Sequence, residues 1–235
     1  MERRKREINN FECAIALHNW ELCLETCFKI LYGLPYYLQI ELCCYIINRY
    51  LPIFENRNPK IKWPHNILIN IGLYFDQNGK NIPHQEEGLC LSDSLFIFCF
   101  NALLLAYCYR DNTEILTSSS SCAINASIQA MSYNAWIDDD PEALKMWEDG
   151  TIQIERMMYS NSAFKDVCKK EWNAVMNWLL EKKVMDYPDE VDVNKMDQFI
   201  KYWKEGELAL IIPETRKLFE EKDNSNRLRL IDFMG

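Results

Sequence analysis

Residues 92–110 read SDSLFIFCFNALLLAYCYR, and no other stretch of the chain decides as much about the fold. Ser92 is suited to cap a helix, and the residues after it are apolar almost all round the helical circumference. A helix with no polar face is covered on every side, so this one is expected to be the buried centre of a domain. Its apolar run, 95–109, is 15 residues long with Asn101 in the middle. That is short for a bilayer span, and no membrane partner is expected.

Working outward, the rest of the chain also reads as helices. Only 7 of the 235 residues are Gly and 8 are Pro, little turn chemistry for a many-stranded β protein. A first helix is expected over 11–31, capped by Asn9 or Asn10 and closed by Gly33 and Pro35. Leu17, Trp20, Leu24, Phe28 and Leu31 share its inner face. A second helix is expected over 36–50, stopping at Leu51-Pro52, and a third over 65–75 after a loop with Pro59 and Pro64. Residues 76–91 form a polar break. Thr117 to Ser121 reads as a loop with an N-cap for a helix over 120–136, whose Ala123, Ala126, Ala130 and Ala135 allow close helix approach.

Asp140-Pro141 reads as cap and first turn of a helix running to about 159, with Met146 and Trp147 inward. A helix over 163–182, capped by Ser162, carries the stripe Phe164, Val167, Cys168, Trp172, Val175, Leu179 and Leu180. Further helices are expected over 193–204 and 213–221; 208–212 reads equally as strand or helix turn, and 227–233 as a packed tail. The expectation is an all-α domain of 8–10 helices over 11–235, with a possible subdomain break near 183–192. Trp20, Phe28, Phe98, Leu104, Trp172 and Leu179 should be buried. Residues 1–10 read as a disordered basic terminus, since 1–6 carry +3.

The formal charge is −9, so residues 7–235 carry −12. An acidic chain is a poor general nucleic-acid binder, because phosphate contacts need a basic surface. The ten cysteines fall mostly inside apolar runs and form no Cys-x-x-Cys half-site, so they read as core thiols in a reducing, cytoplasmic setting. No metal or cofactor is expected. His18, His65 and His84 are scattered and stand in no catalytic frame, and no phosphate loop, dinucleotide fingerprint or nucleophile elbow occurs.

The densest acidic cluster is Asp138, Asp139, Asp140 and Glu142, with Glu148 and Asp149 about two turns on. Paired aspartates grip Mg²⁺ in terpenoid synthases, but Pro141 and the lack of a second acidic motif favour a helix cap here. The whole set is the candidate partner-binding surface, and Trp136 beside it would be an anchor if exposed.

The segment Tyr50-Leu51-Pro52-Ile53-Phe54-Glu55, the Pro59…Pro64 loop, and the small-residue run Cys122-Ala123-Ile124-Asn125-Ala126 through Ala135-Trp136 together resemble the wholly helical immunity proteins of bacterial polymorphic-toxin systems. The resemblance covers residues 11–136. It implies a cognate toxin, such as a basic nuclease, as partner, and no catalytic residues. Acidic excess and missing catalytic motifs also favour a non-catalytic binding protein. A helical enzyme with a buried cavity and a helical adaptor or scaffold are the alternatives, and a deep pocket with convergent polar groups would single out the enzyme.

With neither disulfide nor structural metal expected in the fold, reductant and chelator should each leave the melting temperature unchanged. A drop of several degrees with either would overturn this reading of the cysteines.

Overall fold

The computed structural model describes residues 2–78, 89–136, 140–142, 145 and 161–204. Among the described residues the chain is all-α, with nine helices and no strand. It divides into two units, Met1–Asp189 and Glu190–Gly235.

In the first unit the centre is a helical hairpin. Helix α6 (Leu91–Cys108) turns back through four residues into α7 (Thr113–Asn134). The α6 residues Leu95, Phe96, Cys99, Phe100, Leu103 and Leu104 are all buried, as a helix apolar on every side requires. At 18 residues α6 exceeds the 15-residue run above; by length and composition it could cross a membrane, and 61% of it is buried inside the protein. Phe98, expected in the core, is only half-buried.

α3 (Tyr36–Arg57) packs along the hairpin. It runs past Leu51-Pro52, where a stop was expected. Pro52 cannot bond the carbonyl of Asn48, but both residues are exposed, so water can serve that carbonyl and the helix continues. Thr117 to Ser121, expected as a loop, lies inside α7, which is capped instead by Asn112, whose Oδ1 accepts from Ile115 N–H at 3.0 Å. These hydroxyl residues favour caps when solvated, but packing of α7 against α6 and α3 keeps them helical.

The expected helix over 11–31 is two helices, α1 (Glu2–Ala16) and α2 (Trp20–Leu31). His18 takes a left-handed backbone (φ 54°), and Asn19 caps α2 by accepting from Leu22 N–H at 3.0 Å. This Asx cap gives the backbone an alternative to continuing the helix. Leu17, placed on the inner face by spacing, is 75% exposed as a result. The third expected helix is likewise split, into α4 (Trp63–Ile69) and α5 (Ile71–Asn78). Asn70 between them accepts from Leu73 N–H.

Residues 1–10 are not a disordered arm. From Glu2 on they are helical, and Arg4 is fully buried. Its guanidinium donates to the carbonyls of Ile30, Val184, Tyr187 and Pro188 at 2.9–3.3 Å and pairs with Asp189 at 3.2 Å. Arg3 reaches both Asp189 oxygens through Nε, at 3.0 and 3.1 Å, and the carbonyls of Lys29 and Tyr32 at the end of α2. Cations are favoured at helix C-termini, where carbonyls lack helical partners. Arg3 and Arg4 thus form a clamp whose charge is used inside the fold, while Lys5 and Arg6 stay exposed.

α8 (Ser162–Glu181) closes the unit against α7, α1 and α3. Its cap is Asn161, one residue before the expected Ser162, with Oδ1 accepting from Phe164 N–H at 2.9 Å. Trp172 meets Phe11 edge-to-face at 5.7 Å, and Leu180, expected in the stripe, is 43% exposed. A short 3₁₀ turn (Val184–Asp186) then leads to Asp189. In the second unit α9 (Val193–Lys204) is capped by Asp192, and Met196, Phe199 and Ile200 share its buried face. The elements expected at 208–212, 213–221 and 227–233 lie outside the described residues.

Burial pushes the Asp189 carboxyl up, but the hydrogen bond and charge of Arg3 and the charge of Arg4 outweigh it and hold it below the usual range. A depressed carboxylate contributes stability that is present above its unfolded value of about 3.9 and is lost as pH falls through the folded value. Asp189→Asn should cost about 3 kcal/mol in urea unfolding at pH 7, since a buried guanidinium loses its counter-charge. The difference from wild type should narrow below pH 4; an equal difference at pH 7 and pH 3 would contradict the charge argument.

Candidate functional site

The acidic segment begins where the core ends. Trp136, just past α7, is 5% exposed. It stacks on Tyr133 at 6.4 Å and meets Phe164 of α8 edge-on at 5.9 Å. It is therefore a core residue that anchors the root of the segment, not an exposed partner contact. Asp140 caps the next helical turn, with Oδ1 accepting from Glu142 N–H at 3.0 Å, and Pro141 follows at the first helical position. Both Asp140 and Glu142 are exposed. Asp138, Asp139, Glu148 and Asp149 lie outside the described residues, as do Met146 and Trp147.

A polar cluster that spacing did not reveal joins the end of α3 to the start of α6. Asp93, 2% exposed, accepts from Tyr50 OH at 2.9 Å through Oδ1 and from Asn58 Nδ2 at 2.8 Å through Oδ2. Because the tyrosine proton goes to the carboxylate, the 2.6 Å bond between Tyr50 and Ser92 runs from the serine hydroxyl to the phenol oxygen. Arg57 donates to Ser92 Oγ at 3.1 Å and Cys90 Sγ at 3.0 Å, and also reaches Asn134 at the end of α7. Cys90 is the N-cap residue of α6, so Ser92, expected as the cap, is free to turn inward. Asp93 in the first turn suits the positive end of the helix dipole.

Chemically this cluster is saturated. Burial, foremost, pushes the Tyr50 phenol up, so it stays a donor at neutral pH. Ser92 donates to a protonated phenol, and no histidine takes part in the bonds described. The bonds described lock three helix ends together. The sequence signal was an aspartate in the first turn of an otherwise apolar helix, with Arg57-Asn58 at the end of α3.

Six of the ten cysteines are buried in the fold. Burial raises the thiols of Cys23, Cys43 and Cys99, and raises Cys27 and Cys168 to about 12. Thiols held protonated are poor nucleophiles. The ten cysteines stand as thiols, and among the described residues no group of three His, Cys, Asp or Glu is placed to hold a metal. Exposed His65 lies 3.4 Å from half-buried Glu55; His18 rests against Trp20, and His84 is outside the described residues. An open depression of about 500 Å³ is lined by Leu17, His18, Asn19, Glu21 and Lys165 at the α1–α2 break.

On the outer face of α3, Tyr37, Glu41 and Tyr45 follow at four-residue spacing with Tyr36 beside them, and the three tyrosines are 39–51% exposed. Tyrosine is enriched at protein interfaces because it brings large rigid area with a polar tip. No known protein family, curated protein or solved structure matches this chain.

Tyr50→Phe would leave one Asp93 oxygen short of a donor and remove the phenol oxygen to which Ser92 donates. It should lower stability by about 1–3 kcal/mol, read as a fall in the urea midpoint at unchanged m-value. A midpoint equal to wild type would mean that the cluster is not closed.

Proposed function

We propose that this is a non-catalytic binding protein, an immunity protein that neutralises a cognate toxin in the cytoplasm through its acidic surface. The observation that carries the reading is where the positive charge goes. Arg3 and Arg4 pair with Asp189, Arg49 with Glu171 and Arg57 with Asp93, and each of these carboxylate side chains is 3% exposed. Setting aside these four arginines and three carboxylates, the remainder of the chain carries −10. The basic run at the N-terminus offsets the acidic exterior only through exposed Lys5 and Arg6, because Arg3 and Arg4 are committed inward.

Exposed Asp140 and Glu142, rooted by Trp136, fit a partner with a basic site. Carboxylates can sit where the phosphates of a nucleic-acid substrate would bind. The exposed tyrosines of α3 offer aromatic contact area of the kind that dominates interface energetics. Complementary charge chiefly speeds association and selects the partner.

The test is co-expression and co-purification with the product of the adjacent gene, with its toxicity as readout. Failure both to bind and to protect would sink the reading. Given binding, reversing Asp138 and Asp139 to Lys should slow association several-fold while dissociation changes little. The deficit should shrink as salt rises from 50 to 500 mM, since exposed charges are screened. Unchanged association by a folded variant would move the interface elsewhere.

A further inference from the structure

α3 and α7 run side by side in the same direction. Cys43 lies against Ser120, Ile46 against Ser127, and Arg57 against Asn134. At the first of these levels the side chains are small and polar. Thr117, Ser120 and Ser121 stand at i, i+3 and i+4 and share one sector of α7. Gln39 precedes Cys43 by one turn on the face of α3 that meets α7. All four polar residues are 0% exposed.

Gln39 sends Nε2 to the Leu34 carbonyl at 3.0 Å, but its Oε1 has no partner in the protein. Neither have the hydroxyl oxygens of Thr117 and Ser121. The Ser120 hydroxyl has no partner in bonding geometry either, although the Cys43 thiol lies against this residue and donates to its carbonyl at 3.5 Å. Other serines on α7 behave differently. Ser118 and Ser132 bond back to carbonyls of their own helix, and Ser127 reaches the Ile46 carbonyl.

Orphaned polar atoms in a protein interior are rare. Where several converge, native proteins fill the place with ordered water making about two to four hydrogen bonds. The donor set defines the occupant. Oε1 can only accept, so the occupant must donate; the hydroxyls can give as well as take. None of these side chains carries charge, and burial keeps the Cys43 thiol protonated. A cation would find no carboxylate here and an anion no guanidinium.

We propose that the seam between α3 and α7 at Gln39, Thr117, Ser120 and Ser121 is a buried hydration site, holding neutral, water-sized donor–acceptor molecules as part of the fold. Oxygen-17 relaxation dispersion on the full chain reads water that stays bound for longer than the protein tumbles. Wild type should show such water, and Thr117→Val/Ser120→Ala/Ser121→Ala should lose part of that signal while keeping its helical circular dichroism. Thr117→Val alone, which keeps the shape, carries the test should the triple variant not fold. It should reduce the same signal and lower the melting temperature by about 2–4 °C. Two results would overturn the proposal: equal bound-water signals in wild type and variant, or a melting temperature that rises in Thr117→Val because a dry, unpaired hydroxyl has been removed.

Discussion

The first unit depends on covering a hairpin that has almost no charge of its own. Between Leu95 and Tyr109 on one arm, and between Ile115 and Trp136 on the other, there is not one Asp, Glu, Lys or Arg. Leaving such surface in water costs roughly 25 cal/mol for every Å² of apolar area, so α3, α8 and α2 are drawn onto it. Their apolar stripes need one another less than they need α6 and α7. This explains why α7 packs against α2, α3 and α8 as well as α6.

The covering helices are fastened at their ends by polar locks, and each lock uses an arginine. Arg4 and Arg3 hold the end of α2 and the turn after α8. Arg49 of α3 reaches Glu171 of α8, with Nη2 to Oε1 at 3.0 Å, and Arg57 ties α3 to the start of α6 and the end of α7. The guanidinium suits this work because its planar fork serves several carbonyls and a carboxylate at once. Hydrophobic burial is non-directional; the locks give the helices their mutual register.

Much of this was legible. The all-α class, the buried α6, and the inward set Trp20, Phe28, Leu104, Trp172 and Leu179 followed from spacing alone. Asp140 before Pro141 read as a cap and is one. Where structure and sequence pattern differ, distant contacts override local preference. Thr117 to Ser121 prefers a loop until α3 and α6 bury it, and Pro52 stops a helix unless its orphan carbonyl faces water. Four basic residues read as a solvated arm because nothing nearby in sequence announces that Asp189, 186 positions from Arg3, is the counter-charge of Arg3 and Arg4. Of the candidate acidic surface only the cap at Asp140 was legible, and Asp138 and Asp139 lie outside the described residues.

That separation bears on how the protein is made. Ribosomes deliver a chain N-terminus first at about 5–20 residues per second, so Arg3 and Arg4 emerge roughly 10–40 s before Asp189 can be synthesised. Through that interval the α1–α2 pair can form, but the counter-charge that Asp189 will supply to the two guanidiniums is missing. The first unit can close only after its last few residues leave the ribosome, and truncation just before Asp189 would yield a chain with nearly all its apolar core and an open seam at its beginning. The clamp makes synthesis through Asp189 a condition of closure of the first unit.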